Sequence, residues 1–137
     1  MTDIEKIEAL IRYRLEQAEQ ALAAARLNLA NGLQRSAINR AYYAMFYAVL
    51  ALLATRQSET SRHSSAISLF DQLFIKPEVL PRDFSRWLHD AFLNRQAAGY
   101  GSELKLSRED IDALLAHARD FLAGVRRCLR IQAPQDM

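Results

Sequence analysis

Apolar residues recur every three or four positions along most of the chain, with breaks at a few glycines and prolines. In the first segment the spacing between apolar residues alternates between three and four positions over about seven turns. These residues therefore form one continuous seam, as an amphipathic helix requires. The members of the seam are Ile4, Ile7, Ile11, Leu15, Ala18, Leu22, Ala25 and Leu29. Asn31 and Gly32 follow, and this pair favours a helix end because Gly adopts the left-handed backbone of a C-cap. The pattern predicts a long first helix that ends there.

Four further segments show the same helical period. The second, residues 33–56, is apolar almost all round, so we expect it to be central or shared with a second chain. The third begins near Ser61 as its N-cap and carries apolar residues as far as position 74. The fourth covers about residues 82–98. The fifth follows Ser107, which can form a weak capping box with Asp110.

Length and composition agree with a helical domain. The 137 residues suit one domain. Alanine and leucine supply 42 of them, whereas valine, isoleucine and threonine supply 14, the opposite of what a β-sandwich needs. We predict an all-α protein, an up-down bundle of four main helices plus one short extra helix over residues 1–131, with a frayed tail over residues 132–137.

The sequence also indicates a compartment. Cys128 is the single cysteine, so no intramolecular disulfide is available, and its place in a helical pattern favours a small core residue in a reducing environment. The N-terminus opens with polar residues, and no stretch of 18 residues is free of polar ones. We expect a cytoplasmic protein with no membrane association.

The histidines do not form a metal-binding pattern. His63, His89 and His117 lie on different segments, and none has a second ligand type four residues away within its own helical segment. The Glu-x-x-His pairs of a ferritin-type bundle are absent from the sequence, as are glycine-rich phosphate loops. We therefore predict no metal site and no cofactor.

Arg95 breaks the apolar pattern of the fourth helix. It continues the stripe of Phe84, Leu88 and Ala91, so its guanidinium occupies a direction expected to face the core or a partner chain. One interpretation is structural: Arg95 binds the last carbonyls of its helix or a carboxylate such as Glu103. The other is a clamp for phosphate or carboxylate at the mouth of a cleft.

A second departure lies on the second helix. Ser36, Arg40, Tyr43 and Tyr47 fall within about 60° of one another, given roughly 100° per residue, and form a polar and aromatic stripe on an apolar helix. The stripe either ties helices together through hydrogen bonds or forms one wall of a binding cleft, with rings for stacking and Arg40 for phosphate contacts.

Three stretches resemble a known family. SAINRAYYAMFYA at 36–48 resembles the second-helix signature of HEPN domains, the "higher eukaryote and prokaryote nucleotide-binding" bundles. HSSAISLF at 63–70 resembles the third-helix stretch of small prokaryotic members. FLNRQAAGY at 92–100 resembles their Arg-x-x-Ala-Asp-Tyr segment, although Gly99 stands where Asp is usual. The likeness covers nearly the whole chain.

The resemblance implies a homodimer that is often paired with a minimal nucleotidyltransferase as a toxin and antitoxin. Active members are metal-independent endoribonucleases whose Arg-x4–6-His motifs line a cleft at the dimer interface. Arg95 matches the arginine, but the positions open to the histidine hold Tyr100, Gly101 and Ser102. The motif histidine is therefore missing.

The combined interpretation is an interfacial cleft, made by the second and fourth helices, that engages RNA or a nucleotide. Arg95 and Tyr100 are the expected catalytic residues, although an unperturbed Tyr, with a pKa of about 10, is a poor base at neutral pH. In this family that Tyr is also a target of nucleotide transfer. The expected substrate-binding residues are Asn39, Arg40, Tyr43 and Tyr47. The alternative is a non-catalytic interaction module that binds a nucleotidyltransferase partner.

Overall fold

The computed structural model describes residues 2–58, 60, 62–99 and 104–132, and the described part contains helices and no strand. The helices are α1 (Asp3–Ala30), α2 (Gln34–Thr55), α3 (His63–Phe70), α4 (Arg82–Gly99) and α5 (Arg108–Gln132). The expected all-α bundle is confirmed, and α1, α2, α4 and α5 lie close to the predicted segments.

The ends of α1 are determined by local hydrogen bonds. Thr2 accepts from the Glu5 amide, and the Glu5 carboxylate accepts from the Thr2 amide, which completes a capping box. At the other end Leu33 N donates to the Asn28 carbonyl, and Gly32, with φ of +76°, supplies the left-handed residue. The predicted stop at Asn31 and Gly32 is confirmed.

The later helix ends differ in how well they follow the sequence. Ser107 and Asp110 form the expected capping box at the start of α5, with both hydrogen bonds at 3.1 Å. Ser61 lies outside the described residues, and α3 begins at His63 with Arg62 in the N-cap position. The third helix also changes type, because residues 71–75 form a π-helical turn. Apolar spacing does not distinguish such a turn from a continued α-helix.

Helix α2 is the centre of the bundle. It contacts all four other helices and packs most extensively against α1. Fourteen of its residues are buried within this one chain. It is also the one described helix long and apolar enough to cross a membrane, but 78% of its most apolar window is buried in the bundle, as in a core helix. Its apolar surface therefore needs no second chain to cover it, which removes the sequence argument for a dimer and leaves the dimer as a prediction.

A cluster of aromatic rings joins α3, α4 and α5. We call Phe70, Phe74, Phe84 and Phe121 the phenylalanine cluster; all four are buried, and neighbouring ring centres are 5.1 to 6.2 Å apart. Gly124 on α5 permits this packing, because a Cβ at that position would overlap the Phe84 ring. Cys128 is buried as a thiol in the core, as expected, and burial raises its pKa.

Candidate nucleic-acid interface

Arg95 points from α4 to the tyrosines of α2. Its Nη2 donates a hydrogen bond to the Tyr43 hydroxyl at 3.2 Å, and its Cζ lies 5.4 Å from the centre of the Tyr43 ring and 5.8 Å from that of Tyr42. The last turn of α4 is instead bound by Arg35, whose Nη1 donates to the Ala98 carbonyl. Among the described residues the recorded hydrogen bond of Arg95 goes to Tyr43 and not to a carbonyl of its own helix, and the alternative partner Glu103 lies outside the described residues.

Arg40 approaches the same ring from one turn earlier on α2. Its Cζ lies 4.8 Å from the centre of Tyr43, and its Nε and Nη2 donate to the Asn39 side-chain oxygen at 3.3 and 3.1 Å. Tyr47 packs against Tyr43 with ring centres 5.6 Å apart. Asn39 thus orients a guanidinium, which is a different task from the direct substrate contact expected of it.

We call Arg40, Tyr43, Tyr47 and Arg95 the basic aromatic site. All four side chains are half-buried. Within the described residues neither Arg40 nor Arg95 makes an ion pair with a carboxylate, and their recorded hydrogen bonds go to a neutral amide and a neutral hydroxyl. Two partly desolvated positive charges beside one ring favour an anionic ligand, because burial of a cation without a counter-charge is costly.

A cleft of about 300 Å³ continues the site toward α1. Its walls combine two amide side chains, two small residues and two members of the basic aromatic site; they are Gln17, Gln20, Ala21, Ala24, Arg40 and Tyr47. This cleft lies between α1 and α2, whereas the sequence pattern predicted a cleft made by the second and fourth helices. Ser36, the first residue of the predicted stripe, is exposed and lines another depression near the α1–α2 turn.

His63 is the residue at this site that sequence reasoning missed. Its Nδ1 lies 2.6 Å from the Tyr42 hydroxyl, and its ring stacks on Phe46 at 4.1 Å with an interplanar angle of 3°. Burial and then the nearby Arg95 charge lower the pKa of His63 below its usual value. Burial, with a smaller contribution from Tyr43, raises the pKa of the Tyr42 hydroxyl, so this phenol keeps its proton.

Two sequence signals pointed toward this pair without identifying it. Tyr42 is in the 36–48 stretch, and His63 opens the 63–70 stretch, but they are on different helices and no helical period relates them. The other predicted catalytic residue, Tyr100, lies outside the described residues, directly after the end of α4.

Comparison with known proteins identifies relatives over most of the chain. The family model described as "HEPN domain" matches residues 11–128. A "UPF0332 protein" of Thermotoga maritima is 30% identical over 122 residues, which cover 89% of this chain and 92% of that protein.

Two further relatives come from Methanocaldococcus jannaschii. "Putative toxin MJ0142" is 33% identical over 116 residues, which cover 84% of this chain and 78% of that protein. "Putative toxin MJ0605" is 30% identical over 126 residues, which cover 92% of this chain and 90% of that protein. The similarity therefore extends over whole domains and includes the helices that carry the basic aromatic site.

Proposed function

This chain belongs to the HEPN family, and from that premise we propose that it is a toxin of a toxin–antitoxin pair that binds and cleaves RNA without a metal ion. Relatives named as toxins support the biological setting. The observation that carries the chemical part is the position of Arg95, a half-buried cation that shares the Tyr43 ring with a second cation, Arg40.

The site suits a polynucleotide better than a simple anion. Arg40 and Arg95 offer planar donor groups that match phosphate oxygens, and Tyr47, at the edge of the neighbouring cleft, offers a ring on which a base can stack. The neighbouring cleft adds the Gln17 and Gln20 amides, groups able to bind base edges. Proteins that bind single-stranded RNA typically combine contacts to phosphate, stacking on aromatic rings and amide contacts to base edges.

Arg95 has a defined role in cleavage. Attack of a ribose 2′-oxygen on the adjacent phosphorus increases negative charge on the non-bridging phosphate oxygens. A guanidinium held in place beforehand stabilises that charge, and removal of one such donor typically lowers the rate by about 10²- to 10³-fold. In this assignment Tyr43 orients Arg95 through its hydroxyl.

Cleavage of total tRNA in EDTA by wild-type protein and Arg95→Ala tests the proposal. Arg56→Ala is the matched control, since Arg56 also lies over an aromatic ring, that of Phe74, but at the far end of α2. We expect cleavage by wild type and Arg56→Ala and a loss of at least about 10²-fold in Arg95→Ala. Equal cleavage by all three proteins would exclude a catalytic role for Arg95. Cleavage by none of them would exclude ribonuclease activity.

RNA binding can be measured separately from cleavage with an RNA oligonucleotide that carries a 2′-O-methyl group at every position, since the methyl group blocks attack by the 2′-oxygen. Loss of one phosphate contact reduces the slope of log affinity against log salt by roughly one. We expect that change in Arg95→Ala and in Arg40→Ala, but not in Arg56→Ala. An unchanged slope in both site variants would contradict phosphate binding at the basic aromatic site.

The proposal includes two protein partners, a second copy of this chain and a nucleotidyltransferase antitoxin. Light scattering at micromolar concentration tests the homodimer, and a monomer would exclude a cleft shared between two copies. Co-purification with the product of a neighbouring nucleotidyltransferase gene, where one exists, tests the pair. Neutralisation of toxicity by that product would support the toxin assignment.

One observation favours a second function, a non-catalytic module that acts only by binding its partner. Tyr100, Gly101 and Ser102 occupy the positions where active family members carry histidine. The two functions differ in the tRNA experiment: stable partner binding without cleavage by wild-type protein would support the module.

A further inference from the structure

A histidine from another helix stands beside Arg95. The two residues contact the same pair of tyrosines: the His63 ring centre lies 5.6 Å from Tyr42 and 5.7 Å from Tyr43, and the Arg95 Cζ lies 5.8 and 5.4 Å from the same rings. Phe92, one turn before Arg95 on α4, lies 6.4 Å from the His63 ring. The start of α3 and the last part of α4 therefore meet over one aromatic surface of α2.

The His63 ring is held at two places. The Tyr42 hydroxyl engages Nδ1, and Phe46 stacks on the ring face. In the part of the chain that the structure describes, Nε2 has no hydrogen-bond partner. A histidine oriented through one nitrogen, with the second nitrogen unused, is the arrangement found where histidine transfers protons.

From this geometry we infer that His63 is the general base of the RNA cleavage, and that it takes the role of the histidine missing after Arg95. The inference rests on the proposed function and assigns a further catalytic residue to it. It assigns no role to Tyr100, which lies outside the described residues.

The reaction balances with water and the side chains of this site. In this assignment the proton of neutral His63 is on Nδ1, which then donates to the Tyr42 oxygen, so that Nε2 can accept the proton of a ribose 2′-hydroxyl. The 2′-oxygen forms a bond to the adjacent phosphorus, and the bond from phosphorus to the 5′-oxygen breaks. Water protonates the departing 5′-oxygen, and protonated His63 returns its proton to solvent. The products are a 2′,3′-cyclic phosphate and a 5′-hydroxyl.

The surroundings keep His63 in its proton-accepting form. Among the described residues, the titratable or charged groups that face it are Tyr42 and Tyr43 from α2 and Arg95 from α4. Burial and the Arg95 charge lower the pKa of His63, so the neutral ring predominates at pH 7. When RNA phosphate neutralises Arg95, that repulsion decreases, and the pKa of His63 rises toward neutrality, which strengthens the base on substrate binding.

The test compares cleavage of total tRNA in EDTA by wild type, His63→Phe, His63→Ala and Tyr100→Phe. His63→Phe keeps a stacked ring but removes both nitrogens, and we expect a loss of about 10²- to 10⁴-fold. In His63→Ala, added imidazole should restore part of the activity, an effect that a merely structural histidine would not give. In wild type the rate should rise with pH below the usual histidine pKa of 6.5 and then level off.

Two results would overturn the inference. Full cleavage by folded His63 variants together with loss in Tyr100→Phe would exclude His63 and leave the ribonuclease proposal intact. No cleavage by wild type would contradict both the ribonuclease proposal and the assignment of His63 as its base. The His63 imidazole resonances provide a readout besides activity: Arg95→Ala should raise the pKa of His63, whereas Arg56→Ala should not change it. An identical His63 titration in all three proteins would show that Arg95 and His63 do not share a site, and that result would also overturn the inference.

Discussion

The molecule has two aromatic regions that pack with similar ring distances but differ in polar content. The phenylalanine cluster is buried, and its four members carry no polar side-chain atom. Around Tyr42 and Tyr43, rings pack equally closely, but with hydroxyls, the His63 imidazole and the Arg95 guanidinium among them. The first region can only stabilise the fold, whereas the second holds groups that bind anions and transfer protons.

The difference shows how a small bundle separates stability from function. Polar groups within a packed region weaken it unless each has a partner, so a domain of this size gains most of its stability where such groups are absent. Charged groups that await a ligand belong at a half-buried surface. Mutations in the two regions should therefore have separable effects on unfolding and on RNA.

The largest expected effect is a loss of stability in the phenylalanine cluster. Phe121→Ala removes a buried ring that contacts both Phe70 and Phe84, so we expect the free energy of unfolding to fall by about 3 to 5 kcal/mol. Arg95→Ala should cost far less, because the ring packing beneath it stays in place. Urea unfolding followed by circular dichroism measures both, and equal losses would mean that Arg95 has a structural role instead.

A glycine substitution tests how tightly the cluster is packed. In Gly124→Ala the new Cβ overlaps Phe84, whose ring cannot move freely because it also packs on Trp87 and Phe121. Overpacking of this kind typically costs about 1 to 3 kcal/mol, which exceeds the gain in helix propensity. Gly99→Ala is the control, since nothing lies within 4 Å of the Cβ that alanine would add at that position. Equal stability of the two variants would contradict the tight contact.

A smaller effect is the pH dependence of stability contributed by His63. Its pKa is lower in the folded protein than the usual 6.5, so the unfolded chain binds the proton more readily. The contribution of neutral His63 to the free energy of unfolding is therefore fully present above pH 6.5 and decreases as the pH falls below that value. Unfolding measured between pH 5 and pH 8 should show a flatter profile for His63→Phe than for wild type. Parallel profiles would show that the pKa of His63 is the same in both states.

The smallest effect concerns the cation beside the phenylalanine cluster. Arg56 is exposed, and its Cζ lies 4.7 Å from the centre of the Phe74 ring. Exposed cation–π contacts contribute about 0.5 to 1 kcal/mol, so Arg56→Ala should lower the stability by no more than that. RNA affinity should be unchanged, in contrast to Arg95→Ala. A decrease in RNA affinity would place Arg56 within the RNA-binding surface.

Helix positions were largely predictable because they depend on local interactions. The seam of α1 and the Asn31–Gly32 stop involve neighbouring residues, and so does the Ser107–Asp110 capping box. The role of α2 was only half predictable. Its uniform apolar surface allowed either a central helix or a shared one, and packing by four other helices accounts for the burial within one chain.

The sequence by itself determined the helices, the family and the presence of Arg40, Tyr43 and Tyr47 on one stripe, because the helical period places residues of one helix relative to each other. Only the tertiary structure decided that Arg95 meets Tyr43 and that His63 joins Tyr42. Those contacts depend on the crossing and rotation of separate helices, which follow from side-chain packing across the bundle and not from periodicity within any one segment.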